Sequence, residues 1–314
     1  MSEGALRAPF PYFGGKRRAA PLVWEALGNP SLYVEPFCGS AAVLLARVGP
    51  RAAEHLNDMD AMIVNFWRAV RTHPLETLQW AEWPVCEITL HSRHAWVIAQ
   101  RPRLVESLTD PDWCDPKVAG WWVWGLGLWI GDGWAVSASR KLPAIGGEGR
   151  GIHSPRRGPT VGDPKASRGS LEEWFLELSG RLQGVVITRG GWEDPLDMTK
   201  LLATHATVGI FLDPPYAEGK MDYAAGGTGT SLSAHVREWA VTQGHDPRVR
   251  IVLAGYEGEH EPPGWSVVEW LAQGGYAVQG TSGRADNRKR ERLWLSPHCI
   301  QAGTDQVLDL FGEP

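Results

Sequence analysis

Val208-Gly209-Ile210-Phe211-Leu212-Asp213-Pro214-Pro215-Tyr216 runs from an unbroken apolar segment into an acid, two prolines and an aromatic ring. A short apolar run of this kind reads as a strand buried on both faces of a parallel sheet. Its carboxyl end then delivers Asp213 to the edge where open α/β folds hold their ligands. Two consecutive prolines fix the backbone and remove amide donors, which leaves a carboxylate, a carbonyl without a local partner and an aromatic face close together. That set can accept two hydrogen bonds from an amino group while Tyr216 stacks on a ring. The same four residues also suit a strand followed by a proline turn with a capping Asp, so the rest of the chain has to decide.

The chain has 314 residues, 43% hydrophobic and 21% charged. These values describe an ordinary globular protein of about two domains. Its net charge of −5 gives no basic footprint over the whole molecule, so contact with nucleic acid requires local positive charge. Cys38, Cys86, Cys114 and Cys299 are scattered without zinc spacing, which predicts reduced thiols and no metal site. No apolar run reaches membrane length and no leader is recognisable, so a cytoplasmic protein is expected. The 17 tryptophans call for core packing, base stacking or both.

Upstream, Tyr12-Phe13-Gly14-Gly15-Lys16 offers a tight glycine turn, an aromatic face and a point charge suited to a carboxylate or phosphate. Leu32 to Val43 reads as strand, turn and helix start, the helix continuing through Val48, with Glu35-Pro36-Phe37-Cys38-Gly39-Ser40 in the turn. Such a unit presents loop backbone and a helix N-terminus to a ligand. About twenty residues beyond Gly39, Asp58 ends a second predicted strand, at the spacing where an acid meets ribose hydroxyls; Asp58 could instead cap the helix expected over 60–71. Residues 74–112 carry mixed helical patterns. Trp113, Trp121, Trp122, Trp124, Trp129 and Trp134 then crowd together, most of them at the spacing of a buried helix face, with glycines at 125, 127, 131 and 133 arguing against a long regular helix. Residues 140–168 read as a loop whose bases, Arg140, Lys141, Arg150, Arg156, Arg157, Lys165 and Arg168, face only Glu148 and Asp163 in sequence. In an acidic chain this is the best candidate for phosphate contact, with a plain solvated loop as the alternative. A helix over 171–182 capped by Ser170, strands over 185–188, 250–256, 265–270, 276–279 and 292–296, and a helix over 233–243 complete the reading. A glycine-rich loop over 217–231 is long enough to close over a ligand.

Taken in order, Tyr12-Phe13-Gly14-Gly15-Lys16, Val34-Glu35-Pro36-Phe37-Cys38-Gly39-Ser40, Asn57-Asp58 and Asp213-Pro214-Pro215-Tyr216 resemble the Dam-type adenine-N6 DNA methyltransferases of bacteria and bacteriophages, which use S-adenosylmethionine (SAM). The resemblance implies that Tyr12, Phe13, Gly14 and Lys16 lie near the methionine part of SAM and that Glu35, Pro36, Phe37 and Gly39 form the loop beneath it. It further implies that Asp58 holds the ribose and Trp192 lies against the cofactor adenine. Asp213, Pro214, Pro215 and Tyr216 take the target adenine. Relatives often carry an acid just before the aromatic that corresponds to Trp192; here Gly191 stands there, with Glu193 and Asp194 following.

The expected fold is a Rossmann-like α/β methyltransferase, with a mixed, mostly parallel sheet and helices on both faces. Residues 1–73 are its SAM-binding part, 74–184 an inserted target-recognition segment, and 185–314 the part carrying Asp-Pro-Pro-Tyr. The expected reaction is methyl transfer from SAM to the N6 of an adenine flipped out of double-stranded DNA, without a metal. Cytosine-N4 methylation and a catalytically silent nucleic-acid-binding relative are the alternatives. Target sequence, hemimethylated preference, an accompanying restriction enzyme and oligomeric state stay open at this point.

Overall fold

The computed structural model describes residues 6–10, 15–49, 52–82, 87–129, 134–136, 168–215, 229–270 and 291–300. In chain order the elements are α1 (Ala20–Leu27), β1 (Leu32–Glu35), α2 (Ala42–Leu45), β2 (Ala53–Asp58), α3 (Ala61–Thr72), α4 (Pro74–Ala81), α5 (Glu87–Ser107), α6 (Pro116–Leu128), α7 (Arg168–Leu182), β3 (Val185–Arg189), α8 (Met198–Thr204), β4 (Val208–Leu212), α9 (Gly229–Gln243), β5 (Val249–Tyr256), β6 (Ser266–Glu269) and β7 (Glu291–Leu295).

One seven-stranded sheet has the order β3-β2-β1-β4-β5-β7-β6. The first five strands are parallel, and β7 runs antiparallel to both β5 and β6. All of β4 is buried, with Ile210 opposite Val34 on one side and Ile251 on the other. The apolar run is therefore a central strand, because only a strand covered on both faces can be apolar at every position. Val34, Ile210, Leu212, Ile251 and Leu253 pack with Val236 and Ala240 of α9 and with Leu201 and Leu202 of α8. The alternate residues Tyr33, Phe211, Val252 and Ala254 join Val23, Leu44, Trp67 and Phe175 in a second cluster on the opposite face. The period-two alternation of strands thus sends successive side chains into two helical layers.

The helices between β2 and β3 share that second cluster, through Leu78, Leu90, Val97, Trp122, Trp124 and Leu178. Arginines fasten them to the sheet, Arg71 of α3 among them through the Val185 carbonyl at 2.8 Å. Arg68 of α3, buried, donates from Nε to the Ile187 carbonyl at 2.9 Å and from Nη1 to the Asp110 carbonyl at 2.6 Å. Arg181 of α7 forks onto both carboxylate oxygens of Glu54 at 2.7 and 2.8 Å, a bidentate geometry that only a guanidinium provides.

Trp122, Trp124, Trp129 and Trp134 are all buried. The Trp134 indole N–H donates to the Trp122 carbonyl at 2.8 Å, and its ring fills the space that a side chain at residue 125 would need. Core packing accounts for these four rings. Gly125 and Gly127 lie inside α6 instead of breaking it. Gly125 is tolerated there because Trp134 occupies its face.

Several predicted boundaries shift. The helix expected after the turn and through Val48 is the single turn α2, entered through Ala41 at φ 50°. The helix expected to start after Ser170 begins at Arg168, so Ser170 lies within it and Arg168 is its first residue, not the end of a loop. The loop expected to run to residue 231 gives way to α9 at Gly229. The strand expected over 276–279 lies outside the described residues.

Candidate active site

In the strand order, β1 lies between β2 and β4, so the connection leaving β1 runs toward one side of the sheet and that leaving β4 serves the other. A crevice opens at the carboxyl edge where such connections diverge. Glu35 ends β1, Asp58 ends β2, and Asp213 and Pro214 follow β4, so three of the predicted acids meet at this edge.

The turn after β1 is held from beneath. Gly39 adopts φ 43°, a left-handed conformation that glycine takes without steric cost. Its N–H donates to Asp58 Oδ2 at 2.9 Å and its carbonyl accepts from the Trp67 indole at 2.9 Å. The Cys38 N–H reaches the Asn57 carbonyl at 2.9 Å. Asn57, fully buried, spreads its amide across the carbonyls of Pro36, Gly190 and Gly191 at 3.2, 3.2 and 3.1 Å, and accepts from the Thr188 hydroxyl at 2.9 Å. One side chain thus joins the turn after β1 to the turn after β3. Sequence reasoning quoted Asn57 beside Asp58 without giving it a role; a polar amide at the end of an otherwise buried strand was the available signal.

Asp58 does not cap α3. Asp60 does, accepting from the Met62 N–H at 2.9 Å, while Asp58 Oδ1 accepts from the Asp60 N–H at the same distance. Burial raises the Asp58 carboxyl to about 7, against the pull of the Asp60 and Gly39 amides. Burial likewise raises Glu35 to about 8; the Tyr33 hydroxyl, donating at 3.0 Å, works against that shift, and the charges of Asp213 and Asp58 add to it. At neutral pH Glu35 is therefore largely protonated, and a cation brought beside it would favour its ionised form.

Asp213 is ion-paired. Lys16 Nζ lies 2.9 Å from its Oδ1 and 5.8 Å from the centre of the Trp270 ring. The lysine side chain is only 4% exposed, that of Asp213 22%. The turn entering α1 fixes the lysine backbone, its carbonyl accepting from the Ala20 N–H at 2.8 Å. The family resemblance puts Lys16 near the methionine part of SAM; the structure joins it to the acid after β4. Trp270 was read only as part of a strand, and nothing in its local sequence marks its approach to Lys16.

On the other side of the crevice, Phe37 and Trp192 lie nearly parallel, 17° apart with ring centres at 6.1 Å, and Trp239 and His235 pack edge-on against Trp192. Glu193 turns away to His235 at 3.4 Å. Asp194 folds back, so that a side chain at Gly190 would collide with its carboxylate, and a β-carbon at Gly191 would lie 3.6 Å from both of its carboxylate oxygens. Asp194 thus brings a carboxylate to the turn where Gly191 supplies none. Ionisable acids and parallel aromatic faces suit a cationic ligand that also carries hydroxyls and a flat ring.

Tyr12, Phe13, Gly14, Tyr216, Arg140, Lys141, Arg150, Arg156, Arg157 and Lys165 lie outside the described residues. Among the described residues no group of three or more His, Cys, Asp or Glu could hold a metal ion, and no helix is long and apolar enough to cross a membrane.

Residues 12–82 match the family model described as D12 class N6 adenine-specific DNA methyltransferase. The matched stretch includes Lys16, Glu35, Pro36, Phe37, Gly39 and Asp58 and ends well before Asp213. No curated protein matches the chain.

Proposed function

We propose that the chain is an adenine-specific DNA methyltransferase of the Dam-type, D12-class family, whose model matches residues 12–82, and that its carboxyl-edge crevice binds SAM and one adenine flipped out of a DNA duplex, on a Rossmann-like sheet. The single observation that carries this reading is the placement of Asp213 and Pro214 after β4, the parallel neighbour of β1, whose own turn is held by Asn57 and Asp58.

The residues fit the cofactor. Asp58 would face the ribose hydroxyls, Glu35 would meet the cationic amino acid end, and Phe37 with Trp192 would take the purine face. Asp194 would accept from the purine's amino group in place of the acid absent at Gly191. When bound there, SAM supplies an electrophilic methyl carbon. The chain's own groups do the rest.

Adenine N6 is a poor nucleophile because its lone pair is delocalised into the ring. The Asp213 carboxylate and the Pro214 carbonyl accept its two hydrogens, which favours a pyramidal nitrogen and develops the lone pair. Pro214 and Pro215 fix the backbone of that acceptor pair, so little reorganisation remains at the moment of transfer. Tyr216 stacks on the flipped ring, replacing part of the stacking lost from the duplex.

Residues 74–184 serve as the recognition segment, with Arg140, Lys141, Arg150, Arg156, Arg157, Lys165 and Arg168 taking DNA phosphates. An acidic chain needs such a local basic run to approach a polyanion.

Incubation of duplex DNA of mixed sequence with the protein and SAM, followed by nucleoside mass spectrometry, tests the proposal. N6-methyladenine is the expected product. N4-methylcytosine would move the reaction to the other exocyclic amine, and the absence of any methylated base would overturn the reading. Asp213→Ala should abolish transfer with SAM affinity retained. Sequencing with modification detection on the same DNA then reads the target site.

A further inference from the structure

We infer that Arg101 is a positioning residue for the cofactor's ribose, aiming the Asp58 carboxylate through Asp60 from within the recognition segment; this rests on the function proposed above.

Both oxygens of Asp58 are held by backbone amides, Oδ2 by the Gly39 N–H and Oδ1 by the Asp60 N–H, each at 2.9 Å. The first amide belongs to the turn after β1. The second belongs to the cap of α3, where Asp60 takes an extended backbone, φ −75° and ψ 113°, and accepts from the Met62 N–H. The direction of the Asp60 amide follows from how firmly that residue is seated. Arg101 of α5 seats it: Nη1 donates to Asp60 Oδ1 at 3.0 Å, the same oxygen that receives the Met62 amide.

The guanidinium is itself aimed. Its Nε donates to the Ala135 carbonyl at 2.8 Å, and because the group is planar and rigid, fixing Nε fixes the line along which Nη1 points. Ala135 is buried and stands at φ 56°, a left-handed backbone that a residue with a β-carbon adopts only where its surroundings impose it. Its N–H donates to His94 Nδ1 at 3.3 Å, also on α5, and the neighbouring Trp134 indole is tied to the Trp122 carbonyl. Strain of this kind gathers where a geometry is used. Here it presents one carbonyl to Arg101.

Ion-pair stability alone does not explain the arrangement. The Arg101 and Asp60 side chains are 23% and 31% exposed, and pairs so open to water contribute little to folding. What the pair holds is direction and charge beside Asp58. Burial first, and then the Asp60 charge, raise the Asp58 carboxyl against the Asp60 and Gly39 amides; the Arg101 cation beside Asp60 offsets part of that charge. With one site on each oxygen taken by an amide, the Asp58 carboxylate keeps lone pairs to accept from the hydroxyls of a ribose, and their aim depends on the Asp60 turn.

The test measures ribose discrimination by calorimetry on the full-length chain without DNA, using S-adenosylhomocysteine and its 2′-deoxy and 3′-deoxy analogues. Wild type should bind the parent about tenfold more tightly than the analogues, the worth of a hydrogen bond to a charged group. Arg101→Met, which removes the guanidinium and keeps an unbranched stem, should bring that preference below about threefold while the analogues bind within about twofold of wild type. An equal loss for parent and analogues would mark a purely structural arginine and overturn the inference, as would a preference unchanged from wild type. If Arg101→Met fails to fold, Asp60→Ser keeps a side-chain cap on α3 and removes the carboxylate that Arg101 grips. The same collapse of preference in it supports the inference, and a wild-type preference overturns it. A wild-type chain that binds the parent and both analogues alike, or binds none of them, would overturn the reading of Asp58 as the ribose acid and this inference with it. A preference present in wild type and kept in Arg101→Met overturns the role of Arg101 alone.

Discussion

Replacing Glu35 by Gln should remove a fall in stability that the wild-type chain shows as pH rises from 4.5 to 8. The Glu35 carboxyl is buried and its proton is retained to about 8, against 4.5 when exposed, with burial as the largest cause. Between those values the native state binds more protons than the unfolded one, so the stability of the native state declines with rising pH. The displacement of about 3.5 pH units, at about 1.4 kcal/mol each, amounts to about 5 kcal/mol across the window. Glutamine is isosteric, keeps a partner for the Tyr33 hydroxyl and does not titrate. Asp58, raised to about 7, contributes a slope of the same sign in both proteins, and what is left in the difference is its coupling to the Glu35 charge. Urea unfolding followed by tryptophan fluorescence at pH values from 4.5 to 8 gives the two stability curves. Their difference should change by about 5 kcal/mol in favour of Glu35→Gln as pH rises. Curves that stay parallel would refute the claim that Glu35 is held protonated by its surroundings.

The same carboxyl predicts that SAM binding near neutral pH releases a proton, since an arriving cation favours the ionised form; calorimetry in buffers of different ionisation enthalpy should show the release in wild type and its loss in Glu35→Gln. Asn57→Ala should cost about 2–3 kcal/mol and weaken SAM binding, because the carbonyls of Pro36, Gly190 and Gly191 lose a shared donor; chemical unfolding and titration read the two effects. Gly125→Ala should destabilise by about 1–3 kcal/mol, since the new methyl meets the Trp134 indole, itself tethered to the Trp122 carbonyl. An unchanged melting temperature would show that Trp134 is not held there. Asp194→Ala should weaken SAM binding with little effect on the turnover rate at saturating SAM; unchanged affinity would leave the Gly191 turn without an acidic contact.

What the sequence makes legible follows from local physics. The apolar run before Asp213 identifies a central strand because burial on both faces leaves no polar positions, and the structure places it between β1 and β5. The helical spacing of Trp121, Trp124 and Leu128 points to the core, where Trp124 and Leu128 are buried and Trp121 is half-buried. The site acids are legible from their places at strand ends. Their partners are not. Lys16 and Asp213 are almost two hundred residues apart in sequence, and Trp270 comes from the far side of β5, so their meeting depends on the sheet order and on no local pattern. Asn57 is hidden for the same reason, since the carbonyls it binds belong to two different turns. Helix ends were misjudged where capping patterns compete: Ser170 and Glu173 fit a capping box, yet the helix already begins at Arg168.

The charges of the crevice also reconcile an acidic chain with a polyanionic substrate. Glu35, Asp58 and Asp213, at the mouth of a cleft that on the proposed reading takes DNA, would repel the phosphate backbone if all were ionised and unpaired. Two of them are raised by burial, Asp58 to about 7 and Glu35 to about 8, and the third is joined to Lys16. Near neutrality the ligand-free crevice therefore carries much less negative charge than its residue list implies. On the proposed reading, the cationic cofactor ionises Glu35 as it arrives, so the charge that enters with the ligand is balanced where it lands. The same reading leaves the phosphates to the basic run over 140–168, and so divides electrostatic recognition of the two substrates between a buried site that neutralises a cation and a separate basic segment that attracts an anion. Raising ionic strength should then weaken DNA binding steeply while leaving SAM affinity nearly constant. A salt dependence of equal slope for both ligands would place them in one shared field and contradict the division.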